Sequence, residues 1–205
     1  ASNLRKSPLL KLTAINGDAP NDDVGAPKRS QLLSGLVSGK ERFGQRRYQE
    51  AVKVLKSAIK TYETEPGATD TFSDYLEALE YLGASFLKLD YGGDAKDIFR
   101  QRAVLAPDQK LSRDFDAKIR KKYKKIRKKW LKKKKGTLKI VAAQAGIKVQ
   151  INGERVQSAA ALDTLEMFRG RHRVGCGLTE SSLKFKWVKV KSKKTRSVDC
   201  AELLE

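Results

Sequence analysis

Lysine and arginine side chains concentrate in one short part of the chain, where they could bind an anion. Residues 118–135 hold 13 Lys or Arg in 18 positions, and residues 111–135 carry 14 basic against 2 acidic side chains. Ammonium and guanidinium groups donate charge-assisted hydrogen bonds to carboxylates and phosphates. We therefore predict an acidic contact here. The candidate side chains are Lys121, Lys125, Lys128, Lys132 and Lys135.

Cys176 and Cys200 are the only cysteines, and both fall in predicted strands. If those strands are neighbours, the two side chains could form a disulfide. A loop of 24 residues would give about 3.5 kcal/mol in the chain-entropy model. The alternative is a pair of buried, reduced thiols that pack as small core residues. A disulfide would indicate a compartment outside the cytoplasm.

The sequence contains no recognisable catalytic or metal-binding set. His172 is the sole histidine, and we expect it to pack or hydrogen-bond locally. Two cysteines without a histidine cluster do not make a zinc site, so we predict no metal and no cofactor. Glu77 with Glu80, and Asp94 with Asp97, have helical spacing and are interpreted as solvated faces paired with Lys or Arg. We predict that the protein is not an enzyme.

An amphipathic helix must position the five lysines. Ile119, Tyr123, Ile126 and Trp130 recur at spacings of four, three and four, which predicts one apolar stripe on a helix from about residue 112 to 131. The stripe could dock on the preceding helices, or it could lie on an anionic membrane. The cationic face could instead follow nucleic-acid phosphates, or the segment could be a solvated linker. Docking is the preferred interpretation, because a short helical array has an apolar end to cover.

Upstream of this helix, one helical hairpin is indicated by residue types and spacing. Gly83 is followed by Phe86, Ala95, Phe99 and finally Pro107. The small residues suit a close crossing of two helices, the two Phe side chains fill the space between them, and the proline ends the unit. The spacing of these residues matches a known helical repeat.

A second copy of this pattern lies over residues 34–65. Gly39 precedes Ala51 by the same 12 residues that separate Gly83 from Ala95. The two glycines are 44 residues apart, against ~34 in a standard repeat, and we assign the extra residues to a turn-rich connection at 66–70.

Both hairpin patterns resemble the tetratricopeptide repeat family. This resemblance implies stacked helical hairpins that bind other proteins and perform no catalysis. The first helix of each hairpin would line a groove for a peptide or helix of a partner. The candidate groove residues are Gln31, Gly35, Ser38, Arg42, Asp74, Glu77, Ala78 and Tyr81.

From residue 136 onward, the apolar period changes to two. Alternating apolar and polar residues predict a small antiparallel β domain with one apolar and one cationic face. Asn152-Gly153 predicts a hairpin turn, because both residues tolerate a positive φ. The predicted strands cover residues 137–141, 147–151, 171–176, 183–190 and 195–200.

The same region resembles the PEGA domain family, a small β-sandwich module of bacterial envelope and archaeal proteins. Gly136 before the first strand, the Asn152-Gly153 turn and residues 169–174 around His172 carry the resemblance. The signature prolines are replaced, and Ala145-Gly146-Ile147 stands at the turn that names the family. The resemblance implies a periplasmic or cell-surface adaptor that binds partner proteins in a bacterial envelope complex.

Together these patterns predict an α+β multidomain chain of 205 residues with a formal charge of +20. Residues 31–110 carry 12 basic and 12 acidic side chains, so the excess lies elsewhere. We predict four parts, which are a flexible leader (1–29), helical repeats (30–111), a basic helix or linker (112–135) and a small antiparallel β-sandwich (136–205).

Location and partners follow from the same patterns. No stretch approaches the ~20 apolar residues of a membrane span, and Ala1-Ser2-Asn3 suits the start of a chain after cleavage of a secretory signal. Besides a protein in the envelope, the basic helix could contact an acidic protein, a lipid headgroup or a polysaccharide. The alternative hypothesis is a cytoplasmic protein that binds nucleic acid through residues 118–135.

Overall fold

The computed structural model describes residues 26–64, 72–141, 146–156 and 164–204. Within these residues, five helices precede seven strands, and a short helix follows the last strand. The helices are α1 (Ala26–Gly44), α2 (Tyr48–Thr64), α3 (Phe72–Lys88), α4 (Gly92–Leu105), α5 (Ala117–Leu131) and α6 (Ala201–Leu204). The strands are β1 (Gly136–Val141), β2 (Lys148–Ile151), β3 (Glu154–Val156), β4 (Leu165–Met167), β5 (Gly170–Gly177), β6 (Lys184–Val190) and β7 (Thr195–Asp199).

The predicted α+β organisation is confirmed, while two helix boundaries differ. α1 begins at Ala26, so residues 26–29 of the predicted leader are helical. Proline suits this first turn, because the N–H groups there have no intrahelical acceptor. α5 begins at Ala117, after the predicted start near residue 112, because the Asp116 carboxylate caps it there. Residues 1–25 of the predicted leader, and the predicted turn at 66–70, lie outside the described residues.

Close helix crossings occur where the sequence has glycine. A Cβ atom at Gly83 of α3 would lie 2.5 Å from the Phe99 ring of α4. Gly39 of α1 stands in the same relation to Leu55 of α2, again at 2.5 Å. Phe86 and Phe99 are buried in the core that the helices share, so the predicted packing role of these residues is confirmed.

A buried ion pair joins α3 to α4. Arg102 Nη2 lies 2.6 Å from Glu80 Oε1, and both side chains are almost completely buried. The second Glu80 oxygen accepts from the Ser112 N–H at 3.3 Å, and Arg102 Nη1 donates to the carbonyl of Ala106. The interpretation of Glu80 as part of a solvated face is therefore wrong. Its carboxylate holds the segment after α4 against α3.

The strands form two sheets, with the orders β4-β1-β7 and β3-β2-β5-β6. The four-stranded sheet is antiparallel, and Asn152 (φ 51°) and Gly153 (φ 82°) make the predicted β2–β3 turn. The prediction of antiparallel pairing is wrong for β1 and β7, which pair in parallel. A parallel pair needs a long crossover, and here it contains every strand from β2 to β6.

A disulfide joins the two sheets. Cys176 lies in β5, and Cys200 directly follows β7, with their Cα atoms 5.6 Å apart. The disulfide considered from the sequence is present, and it links strands of different sheets, since β5 and β7 are not paired with each other. The apolar side chains of both sheets face each other in one buried cluster, and the disulfide lies within it.

The helices and the four-stranded sheet meet at a packed junction. Arg173 of β5 is fully buried there, with its guanidinium 3.6 Å from the Phe185 ring centroid and 5.0 Å from that of Tyr62. Trp187 of β6 packs against the helical core, and its ring centroid lies 5.5 Å from that of Tyr75. The helices and the four-stranded sheet therefore share buried contacts. These contacts hold the residues on the two sides of the junction in place relative to each other.

The crossing at Gly83 gives a test of the helical packing. We expect Gly83→Ala to destabilise the protein by about 1–3 kcal/mol, because the added methyl group would overlap the Phe99 ring. Gly93→Ala is the matched control, since a Cβ there meets no atom within 4 Å among the described residues and alanine favours a helix. Urea denaturation measures both. Equal stability of the two variants would contradict the close crossing.

Candidate anion-binding site

The apolar stripe of α5 lies against the preceding helices. Ile119 and Tyr123 are buried, and the Tyr123 ring centroid lies 5.4 Å from that of Phe99 in α4. Ile126 is partly buried against the same core. The preferred prediction of a docked helix is confirmed, and docking leaves the opposite face of α5 in solvent.

Trp130 ends the stripe at the β domain. Its Nε1–H donates to the carbonyl of Arg169 at 3.1 Å. The guanidinium groups of Arg100 and Arg169 lie 4.6 and 5.3 Å from its ring centroid. These contacts hold Trp130 against the β domain. The side chain is therefore not directed outward, as insertion into a membrane would require.

The start of α5 is fixed by Asp116. Its Oδ1 accepts from the N–H of Ile119 at 2.8 Å, and its Oδ2 lies 2.6 Å from Lys88 Nζ of α3. The Lys88 hydrogen bond, followed by the backbone N–H of Ile119, lowers the pKa of the Asp116 carboxyl below its ordinary value of 3.8. The cap and the ion pair together set where the cationic helix begins.

Four of the five predicted lysines come together on one side of α5, the fourth being Lys132, the residue that caps its C-terminus. With about 100° between successive residues, Lys121, Lys125, Lys128 and Lys132 centre on the side opposite the buried stripe, and all four are exposed. Within the described residues, no carboxylate forms an ion pair with any of them. We call these four residues the α5 lysine face.

Lys135, the fifth predicted lysine, lies beyond α5 and is differently placed. Its Nζ is 5.1 Å from the Phe168 ring centroid and 3.4 Å from Glu166 Oε2. Its carbonyl accepts from the N–H of Lys193, and the carbonyl of Lys134 accepts from Ser192 Oγ at 2.7 Å. The segment after α5 is therefore tied to the β6–β7 turn, which adds further exposed lysines next to it.

The groove residues predicted on α1 lie together, but they face α2. Gln31, Gly35, Ser38 and Arg42 border a surface depression between these two helices. A Cβ at Gly35 would lie 2.6 Å from Cβ of Ala58, and Arg42 is held by the carbonyl of Ser38 at 3.2 Å and by Glu50. This depression belongs to one hairpin.

The groove residues predicted on α3 occupy other places. Ala78 and Tyr81 are buried in the core, and the Tyr81 ring packs on Phe115 with centroids 4.8 Å apart. Glu77 pairs with Lys40 of α1 at 2.6 Å. Asp74, near the start of α3, is half-buried. The α1 and α3 candidates therefore do not line one groove, because helical period alone leaves the inward face undetermined.

His172 has the local structural role that its sequence context suggested. It is buried, its Nε2 lies 2.7 Å from the Phe168 carbonyl, and its Nδ1 lies 3.0 Å from Asn152 Nδ2. Burial lowers the pKa of this imidazole, which favours the neutral ring. Among the described residues, no three His, Cys, Asp or Glu side chains are grouped to hold a metal. None of the helices described is long and apolar enough to cross a membrane.

Comparison with protein-family models and with curated proteins finds no match for this chain. The resemblances to tetratricopeptide repeats and to the PEGA domain therefore depend on the residues quoted above.

Basic residues of the β domain lie beside Trp130 at the end of α5, and they were not predicted as part of a site. Arg169 precedes β5, Lys189 lies near the end of β6, and Lys191 directly follows β6. Lys189 and Lys191 are two residues apart and so indicate cations on one face at the end of this strand, whereas Lys184 and Lys186 fall on the other face. The local pattern does not indicate that the face with Lys189 would contact α4 and α5. That contact is between residues about 70 positions apart, such as Gln101 and Arg171.

Removal of the α5 cap should weaken the helix in a pH-dependent way. We expect Asp116→Ala to lower the free energy of unfolding by about 1 kcal/mol at neutral pH. The folded-state pKa of Asp116 is depressed, so its charge stabilises the fold above pH 3.8 and this contribution is lost as the pH falls through the folded-state value. Urea denaturation across acidic pH measures the effect.

Asp116→Asn separates the cap from the charge. Asparagine still caps a helix, so this variant should retain most of the stability and lose the acid dependence that Asp116 contributes. If Asn and Ala destabilise equally at neutral pH, the ion pair with Lys88, and not the cap, fixes the start of α5.

Proposed function

We propose that this protein is a non-enzymatic scaffold of the bacterial cell envelope that binds an acidic partner protein through the α5 lysine face. The observation that carries the proposal is the orientation of α5. Its apolar stripe packs against the protein, while the four lysines on the opposite side are exposed and have no carboxylate partner within the described residues. A row of cations on a helix fixed in place complements a row of carboxylates on another protein.

The spacing of the lysines supports a helical or extended acidic segment as the partner. Residues four apart on a helix face have Cβ atoms about 5–6 Å apart, and acidic side chains on a partner helix repeat at the same distance. The lysine stems also offer apolar surface beside each charge. Several such pairs act together, whereas one exposed pair contributes little.

The architecture supports the scaffold part of the proposal. The Gly83–Phe99 crossing and the repeated Gly39–Leu55 crossing suit a short tetratricopeptide-type array that α5 closes. The two facing sheets suit a PEGA-type β-sandwich, in which Gly136 opens the first strand. Stacked helical hairpins of this kind present surfaces to other proteins.

The disulfide supports the envelope location. Cys176 and Cys200 are joined in the core of the β domain, and such cross-links persist in oxidising compartments such as the bacterial periplasm. The same cationic surface also suits the alternative function, nucleic-acid binding in the cytoplasm, because lysines attract phosphates without regard to sequence.

The acidic partner can be tested with defined probes. We expect the full chain to bind poly-L-glutamate at ~150 mM salt. Reversal of the α5 lysine face to Glu should weaken this binding by about tenfold or more, because four attractions become repulsions. Fluorescence anisotropy of labelled poly-L-glutamate measures affinity, and circular dichroism checks that helicity is retained.

The control reverses four exposed lysines elsewhere in the helical region. Lys53, Lys60, Lys96 and Lys110 lie outside α5, and their reversal changes the net charge by the same amount. Equal weakening by both variants would show a general charge effect and contradict the proposal. If a random-sequence DNA duplex binds at this salt and poly-L-glutamate does not, the nucleic-acid function is favoured. Binding only to vesicles that contain phosphatidylglycerol would indicate a lipid surface.

The state of the two thiols tests the compartment. We expect Cys176 and Cys200 to resist alkylation in intact cells of the source organism until a reductant is added, as a disulfide in an oxidising compartment would. The purified Cys176→Ser/Cys200→Ser variant should lose about 3 kcal/mol of unfolding free energy. Two thiols that react in denatured, non-reduced extracts would contradict the envelope location.

A further inference from the structure

We propose that a cleft at the junction of the helices and the β domain binds a compact oxyanion of the phosphate class. The cleft has a volume of about 490 Å³ and is bordered by α4, the end of α5, β5 and β6. We call it the junction cleft. Its principal side chains are Arg100, Trp130, Arg169, Arg171, Lys189 and Lys191. It is separate from the α5 lysine face, so this inference does not depend on the proposed function.

Four of these cations belong to two neighbouring antiparallel strands and the residues that flank them. Arg171 of β5 lies directly opposite Lys189 of β6. Arg169 and Lys191 are each two residues further along, where side chains return to the same side of the sheet. Positions two apart on a strand are separated by about 7 Å, and opposite positions by about 5 Å. The backbone positions of these four positive side chains therefore lie close together at one end of the β5–β6 pair.

Repulsion among these cations favours a bound anion, although Arg171 also lies over the Trp187 ring, at 5.0 Å from its centroid. Like charges directly opposite each other destabilise an antiparallel pair. Arg171 is partly neutralised by Glu63 at 2.9 Å, and Asp97, which also borders the cleft, is held by Arg100 at 2.6 Å. Within the described residues, no carboxylate forms an ion pair with Arg169, Lys189 or Lys191. A bound anion would remove this repulsion.

The walls of the cleft are held in place by contacts between the helices and the strands. Gln101 Nε2 donates to the carbonyl of Arg171 at 3.1 Å, and Trp130 Nε1 donates to the carbonyl of Arg169 at 3.1 Å. At Gly170, a Cβ would lie 2.7 Å from Val104 of α4, so only glycine permits this close approach. The cationic groups thus project from backbone that is already fixed, which lowers the entropy cost of binding.

A phosphate-class ligand fits this charge and size better than an acidic side chain. Each carboxylate brings one negative charge, whereas pyrophosphate brings several on adjacent tetrahedral groups. Guanidinium groups bind such oxygens in pairs, and ammonium groups act as point charges beside them. The cleft volume lies within the range of about 300–1,000 Å³ of small-molecule sites. A pyrophosphate or a small phosphorylated molecule therefore suits it.

The test titrates the full chain with sodium pyrophosphate at ~150 mM salt, by calorimetry and by tryptophan fluorescence. The chain has two tryptophans, and Trp187→Phe leaves Trp130 as the reporter within the cleft. This replacement removes an indole N–H that has no hydrogen-bond partner among the described residues. We expect saturable binding that changes the emission of Trp130.

Two matched variants locate the binding. Arg169→Gln/Lys189→Gln/Lys191→Gln should weaken pyrophosphate binding by about tenfold or more, because three charge-assisted contacts are lost. Lys121→Gln/Lys125→Gln/Lys128→Gln removes the same charge from the α5 lysine face and should change the affinity little. Equal weakening by both would overturn the cleft as the site, and so would an absence of binding to the parent chain.

A single reversal distinguishes a ligand site from a structural role. Lys189→Glu places a carboxylate opposite Arg171, so it should raise the thermal stability of the ligand-free protein and abolish pyrophosphate binding. A lower stability would show that Lys189 has a structural partner and would overturn the argument from repulsion. If a glutamate-rich peptide binds through the cleft residues and pyrophosphate does not displace it, the phosphate class is wrong.

Discussion

Burial of one face of α5 is the constraint on which the functional surface depends. Within α5, apolar side chains form a single stripe among lysines and arginines, so the helix has only one way to pack on α4. Once Tyr123 meets Phe99, the lysines on the far side must face solvent. Docking also sets where the chain leaves the helix, and that exit brings residues 132–135 to the β6–β7 turn.

The junction between the helices and the four-stranded sheet depends on a different balance. A fully buried guanidinium is costly unless neighbouring groups compensate for its lost hydration. Arg173 lies between aromatic rings of the two parts, where cation–π attraction to Phe185 and Tyr62 offsets part of that cost. Burial lowers the pKa of this group, and the tyrosines oppose that shift. An arginine on a strand thereby fixes a helix against a sheet.

The sequence predicted local structure better than it predicted which surfaces would meet. The stripe of α5, the small residue at Gly83 and the Asn152-Gly153 turn follow from spacing and from local conformational preference, and the structure agrees with each. The three-residue strand β4 escaped prediction, and β3 was implied only by the hairpin turn before it, because so short a segment shows almost no alternation. The parallel β1–β7 pair escaped it because hairpin signals describe only consecutive strands.

The errors at the candidate site have a similar physical origin. Tyr81 was expected to face a partner, and Glu80 to face water, yet both are buried. A buried ion pair and an exposed one have the same residue types at the same spacing, so only the three-dimensional partner Arg102 distinguishes them. The junction cleft was invisible for the same reason, because its cations come from segments that are distant in the chain.

The disulfide also determines how the β domain would transmit a mechanical load. Tension applied at the C-terminal end of the described chain would reach Cys200 after only the four residues of α6. The covalent link then carries the force directly into β5, an internal strand of the four-stranded sheet, and bypasses the edge strand β7. β5 also carries Arg171 and Arg173, which contact the helices. Force would thus enter the junction with the helices through β5.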